Sequence, residues 1–244
     1  SDLIVQTSDE TWQAYNTYVG ASMYANIEKG VQPWSTKVSY NRPIYTRSNI
    51  QGLGKRSFLF NAEYPLIRFL EKNGYSVSYI SQWDIAQNKN LVKNHKAYIS
   101  SGHDEYWSQE NHDAVKEARD SGVNLIFMSG NTHYWKTRWE NSIDGSATPF
   151  KTLVSYKGRE SNPEVNQQDP TSIWTGLWRD PRFPQQFTPE PENHLTGTIF
   201  TANGERVDQM KIGSEVAKNR FWRNTDIATL TRSEEHTSEL QSRS

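Results

Sequence analysis

The chain contains no cysteine. That absence excludes disulfides, thiolate metal sites and any cysteine nucleophile, but it leaves the compartment open, since secreted chains can also do without thiols. Long apolar runs are missing too: no stretch approaches the ~18 residues that a membrane-spanning helix needs. Neither sign of charge dominates, with 27 Lys and Arg against 28 Asp and Glu. Such a balance leaves no electrostatic footprint for nucleic acid or for an anionic membrane. Several catalytic signatures are absent as well: a Gly-x-Ser-x-Gly elbow, a phosphate loop, a Gly-x-Gly-x-x-Gly turn and a His-Glu-x-x-His pair. What the chain has in excess is aromatic surface, with 9 Trp and 12 Tyr among 244 residues that are only 34% hydrophobic. So many rings in a polar chain suggest a lined pocket or an interface more than bulk core.

Both ends read as cut. The chain opens without an initiator methionine in the apolar pattern Leu3-Ile4-Val5-Gln6, as an internal fragment of a longer protein would. Arg232 to Ser242 reads RSEEHTSELQS, which is one translated frame of a common sequencing-library adapter. Residues 232–244 are therefore expected to be an artefactual tail, His236 included, and residues 1–231 a single domain.

Within that domain the pattern alternates. Leu3–Gln6 predicts a short strand broken by Thr7-Ser8-Asp9, after which the chain reads as aromatic and irregular to about Pro43, with Trp12, Tyr15, Tyr18, Tyr24, Trp34 and Tyr40. A helix is expected from Asn61, tolerating Pro65 in its first turn and closed by Gly74. Ser76–Ile80 and Lys96–Ser100 read as strands. Ser108 is an N-cap for a helix over Gln109–Ser121 stopped by Gly122, and Val123–Met128 is an apolar strand covered on both faces. This order predicts an α/β fold of three layers around a mainly parallel sheet. Phe150–Tyr156, Leu195–Thr201 and Arg206–Ile212 are further expected strands. Six of the ten prolines fall between Pro163 and Pro191, interleaved with Trp174, Trp178, Phe183 and Phe187, so this excursion cannot be sheet interior.

Three polar clusters directly follow three of these strands: Thr11–Asn16, Gly102–Trp107 and Gly130–Trp135. Ligands bind outside the carboxyl ends of parallel strands, so the clusters are expected to converge. His103 and Glu105 are two apart and, on an extended chain, project to one side while Asp104 points away. A His-x-Glu pair so placed suits metal binding or acid–base work. Asn131 either donates to a developing oxyanion or closes a turn. Tyr15 by itself reads as core; Lys157 and Arg159 read as a solvated loop; His95, His112 and His133 read as surface or structural residues.

Taken together, Thr11-Trp12-Gln13-Ala14-Tyr15-Asn16, Ser39–Pro43, Gly102–Trp107, Ser129–Thr132, Tyr156-Lys157 and Asn219–Thr225 resemble the C-terminal domain of the N,N-dimethylformamidase large (beta) subunit family. The resemblance implies a class I glutamine-amidotransferase-like fold with flavodoxin-like strand order, although amidotransferase chemistry itself needs the missing cysteine. It implies a mononuclear iron held by two tyrosines and a glutamate, and hydrolysis of a small dialkylamide. By motif, Tyr15 resembles one tyrosine ligand and Glu105 the carboxylate, with His103, Asn131 and Lys157 as the polar residues around them. The second tyrosine is expected upstream of Ser1; Tyr24 and Tyr40 are the substitutes within the chain, though no motif points to either. Tyr15, His103, Glu105 and Asn131 should then share one crevice, with the Tyr15 hydroxyl and Glu105 roughly 3–5 Å apart. The implied partners are a small amide substrate and neighbouring domains or subunits, with neither nucleic acid nor membrane. The alternative is a non-catalytic ligand- or carbohydrate-binding domain of a larger protein, using the Trp174–Phe187 strip.

Overall fold

The computed structural model describes residues 1–24, 35–47, 57–157, 167–201, 210–229 and 234–236. Trp34, Arg159, Pro163, residues 206–209 of an expected strand, and residues 232–233 and 237–244 of the expected tail lie outside them. Two compact units emerge, Ser1–Phe200 and Thr201–Ser244.

In chain order the first unit contains β1 (Leu3–Thr7), α1 (Asp9–Tyr15), β2 (Lys37–Ser39), α2 (Tyr64–Lys72), β3 (Val77–Ser81), α3 (Gln82–Gln87) and β4 (Ala97–His103). It continues through β5 (Tyr106–Ser108), α4 (Gln109–Asp120), β6 (Asn124–Gly130), β7 (Trp135–Glu140), β8 (Thr152–Val154), β9 (Gly176–Leu177) and α5 (Asn193–Thr196). Four strands form a parallel sheet in the order β3-β1-β4-β6. Numbered within the sheet, that order is second, first, third, fourth, the opening of the flavodoxin-like order. Residues alternate across it. Ile4 and Tyr98 face a core with Val115 and Ala118 of α4, while Val5 and Ile99 face Leu66 and Leu70 of α2. Two apolar faces, each covered by a helix, make the three layers.

α4 shows how local sequence sets these boundaries. Ser108 accepts the Asn111 N–H as its N-cap. At the other end, Gly122 stands at φ +96, and the N–H groups of Gly122 and Val123 return to the carbonyls of Arg119 and Ala118 at 2.9 and 3.0 Å. That pattern requires a left-handed residue, which glycine adopts without strain.

A second, mixed sheet runs β2-β8-β7-β5, with β9 also on β7. Sequence reading anticipates only β8 of it. Thr7, read as part of the break, ends β1, Asp9 opens α1, and the stretch after Asp9 that was expected to be irregular to about Pro43 holds the rest of α1 and β2. The helix expected from Asn61 begins earlier, as a π-turn over Leu59–Glu63 that leads into α2. Leu195–Thr201 is not a strand: the N–H groups of Leu195 and Thr196 bond the Glu192 carbonyl as a helical turn, which Gly197 ends at φ +76. In the second unit, β10 (Met210–Ile212) pairs antiparallel with β11 (Glu234–His236), which falls inside the stretch read as adapter.

Ile85 has no exposed surface and packs in the α4 core, whereas Ile143 is 71% exposed. Ile85→Ala is expected to cost about 2–5 kcal/mol in chemical denaturation. Ile143→Ala should stay within about 0.5 kcal/mol of the parent. Equal effects would refute this placement of the core.

Candidate active site

β4 belongs to the parallel sheet and β5 to the mixed one, and only Asp104 and Glu105 lie between them. The two carboxylates diverge. Asp104 turns into the protein, where it accepts from Gln6 Nε2 (3.0 Å), Gln82 Nε2 (3.2 Å) and Ser100 Oγ (2.6 Å). Glu105 turns the other way and is 4% exposed. Its Oε2 accepts from the Tyr15 hydroxyl at 2.8 Å, and its Oε1 from the Tyr24 hydroxyl at 2.7 Å and Trp135 Nε1 at 3.0 Å. The contact with Tyr15 is thus a direct hydrogen bond, shorter than the expected gap of roughly 3–5 Å.

α1 delivers Tyr15 to this point. All of Asp9–Ala14 is buried, and the helix is tied down by its polar groups. Thr11 Oγ1 accepts the backbone N–H of Glu105 at 2.9 Å, fixing the carboxylate's own peptide. Tyr15 and Tyr24 stack with ring centroids 4.2 Å apart. Lys157 places its Nζ 3.2 Å from the Tyr24 ring centroid and donates to the Tyr106 hydroxyl. His103 Nε2 stands 3.6 Å from Glu105 Oε2, and its Nδ1 is 2.9 Å from Ser57 Oγ.

The structure therefore gathers Tyr15, His103, Glu105 and Lys157 in one cluster. Asn131 follows Gly130, which pairs with His103 in the sheet, and takes a left-handed backbone at φ +50. No side-chain hydrogen bond among the described residues joins Asn131 to the cluster. Tyr40 goes elsewhere, donating to Asp9 at 3.3 Å. Sequence reasoning had no motif for Tyr24 and did not single out Trp135, Tyr106 or Ser57. Trp135 closes the third polar cluster, the one signal that could have found it.

Burial and the charge of Glu105 push the Tyr15 and Tyr24 phenols well above the usual tyrosine range. Both stay protonated and donate to the carboxylate. Among the described residues, no group of three or more His, Asp or Glu side chains is spaced to hold a metal. The oxygens gathered here come from two phenols and one carboxylate. They are hard donors, matched to a hard, highly charged cation such as ferric iron rather than to zinc or copper.

A family described as N,N-dimethylformamidase beta subunit-like, C-terminal, matches residues 1–240. No curated protein matches the chain.

Other buried acids surround this site. Desolvation raises Asp104 to about 7 and Glu63 to about 8. Each binds its proton more tightly folded than unfolded, so both subtract stability as pH rises above the ordinary carboxylate range through these values. Below about pH 6.5 the desolvated rings of His112 and His133 act with the opposite sign, because unfolding lets them take up protons. Between about pH 6.5 and 8, stability in urea should therefore fall. Glu63→Gln, which keeps an acceptor for Trp12, should fall less steeply; a parallel or steeper decline would contradict the assignment.

Proposed function

The chain belongs to the N,N-dimethylformamidase beta subunit-like, C-terminal family, and from that membership we propose an iron-dependent hydrolase acting on the C–N bond of a small amide. The observation that carries the reading is the convergence of two phenols on one buried carboxylate. Tyr15, Tyr24 and Glu105 would hold the ion, so Tyr24 supplies the second tyrosine from within the chain. The same reading puts the parallel sheet in the glutamine-amidotransferase-like class.

When bound, the iron would supply Lewis acidity toward the amide carbonyl and toward water, at the cost of both phenolic protons. The chain's own residues do the rest. Water adds to the carbonyl carbon, the C–N bond breaks, and the proton that water gives up ends on the departing amine. His103 presents Nε2 beside Glu105 and holds a proton there for that nitrogen. Asn131, which directly follows β6, would donate to the carbonyl oxygen. Lys157 sets its positive charge against the Tyr24 ring, countering negative charge on that phenol once its proton is displaced.

The carbohydrate-binding alternative finds less support. Trp174 and Trp178 are 3% and 0% exposed, and Trp178 belongs to the α4 core. The two tryptophans of the strip pack inward and offer no face for a sugar to stack on, while Phe183 and Phe187 are half-buried.

Loaded with ferric iron, the protein should show the broad visible band of tyrosinate-to-iron charge transfer and release a dialkylamine from a small dialkylamide. Tyr24→Phe and Glu105→Ala should each lose most of the bound iron, while Tyr40→Phe keeps it. His103→Ala should retain the band and lose about 10–100-fold in turnover. A colourless protein that takes up no iron would overturn the reading.

A further inference from the structure

We infer that Arg42 is a positioning residue: its guanidinium clamps the loop that joins Tyr15 to Tyr24 and thereby holds the two phenols side by side on Glu105. The inference deepens the hydrolase reading and rests on it for its functional meaning, but the geometry behind it belongs to the chain without iron. Arg42 lies in Ser39–Pro43, a motif that no step of the proposed reaction uses.

Tyr15 ends α1, and the chain must turn back before Tyr24 can stack on it. A short 3-10 turn over Tyr18–Gly20 makes the reversal. The returning limb meets the helix where the Met23 N–H donates to the Ala14 carbonyl at 2.9 Å. That bond satisfies one of the carbonyls left open at the C-terminal end of α1. Arg42 satisfies another and spans the loop. Its Nη2 donates to the Gln13 carbonyl at 2.8 Å and to Gln13 Oε1 at 3.1 Å. Its Nη1 donates to the carbonyls of Asn16 at 3.0 Å and Ala21 at 2.9 Å. The remaining Nε–H donates to the Ser39 carbonyl, at the end of β2, at 3.2 Å. Gln13 is on the helix, Ala21 on the returning limb, and Asn16 between them, so one planar group ties both sides of the turn together.

A guanidinium presents five N–H donors in a rigid fork, and here every one is engaged. All of the acceptors are neutral oxygens, so the group is used for its shape as well as for its charge. α1 answers in kind: Asn16 Nδ2 donates to the Pro43 carbonyl at 2.8 Å. Gln13 and Asn16 have no exposed surface, and buried polar groups are costly unless partnered, so these contacts hold as a set. Lysine would bring the same charge as a point on a flexible stem, with three donors on a single nitrogen that cannot span the loop.

The test reads the tyrosine pair in the iron-free protein. With ring-13C-labelled tyrosine, Tyr15→Phe and Tyr24→Phe identify the two signals, which stacking should displace upfield. Arg42→Lys should lose much of that displacement at Tyr15 and Tyr24, while Tyr79 and Tyr98 of the parallel sheet keep their shifts. Ile85→Ala, destabilised but remote from the loop, should leave all of these shifts in place. Titration with ferric nitrilotriacetate, followed at the visible band, should show ~10–100-fold weaker iron uptake in Arg42→Lys and wild-type uptake in Ile85→Ala. Unchanged Tyr15 and Tyr24 shifts in Arg42→Lys would overturn the inference. So would changes spread over all the tyrosines, changes matched by Ile85→Ala, or undiminished iron uptake by Arg42→Lys. Should Arg42→Lys not fold, the wild type decides: a clamped side chain shows separate 15N signals for Nη1 and Nη2, and one averaged signal refutes the clamp. A wild type that takes up no iron would overturn the hydrolase reading, while the iron-free tyrosine spectra still decide for or against Arg42.

Discussion

Everything at the candidate site depends on one short helix being buried while remaining polar. α1 sits at the carboxyl end of β1 with Asp9–Ala14 buried, and each of its polar groups answers to a different segment. Asp9 accepts the Gln82 and Trp83 N–H groups at the start of α3, at 2.6 and 3.2 Å. Glu10 accepts from Asn111 of α4 and Thr137 of β7. Thr11 accepts the Glu105 peptide N–H, and Trp12 donates to Glu63. Buried polar groups are costly unless partnered, so the helix stays in the interior only while all of these contacts hold together. The parallel sheet, the mixed sheet and the π-turn are thereby locked to one element, and Tyr15 leaves from its last turn.

The second constraint is electrostatic. Removing acids from water favours their neutral forms, and Asp9, Glu63 and Asp104 are all raised, to about 6, 8 and 7. Glu105 is met instead by three donors on its two oxygens, two of them phenols held protonated by their own burial. In this state the cluster is a closed hydrogen-bond set. Exchanging two phenolic protons for a cation would use the same oxygens with little movement of the chain, because stacking of Tyr15 on Tyr24 already holds them side by side. Ordinary core packing would not ask for two phenols on one carboxylate.

The parts of the fold legible in the sequence are those where one physical signal dominates. Apolar runs marked β1, β4 and β6, and Ser108 with Gly122 bracketed α4, because caps and buried strands leave local traces. α1 left none. A helix buried on every side has no apolar stripe, and Asp-Glu-Thr-Trp-Gln-Ala-Tyr reads as loop. β7 was hidden for a related reason. Its Trp-Lys-Thr-Arg-Trp-Glu alternates correctly, yet Arg138 is buried through Asp169 and Glu140, partners that no local pattern announces. Leu195–Thr201 was apolar enough for a strand but follows Pro191 and contains Gly197, and the turn chemistry prevailed.

At the site the same division holds. The sequence by itself marked the polar clusters that follow the strands, and determined that His103 and Glu105 would share a side while Asp104 turns away. The side-sharing follows from the two-residue period of an extended chain. It also determined membership of a family, through motifs spread along most of its length. Which second tyrosine reaches Glu105 was decided only by tertiary structure. Tyr24 and Tyr40 are alike in type and both follow α1, but the chain stacks one on Tyr15 and ties the other to Asp9. The choice between them comes from the hydrogen bonds that hold α1 in the interior, and those join segments up to 127 residues apart.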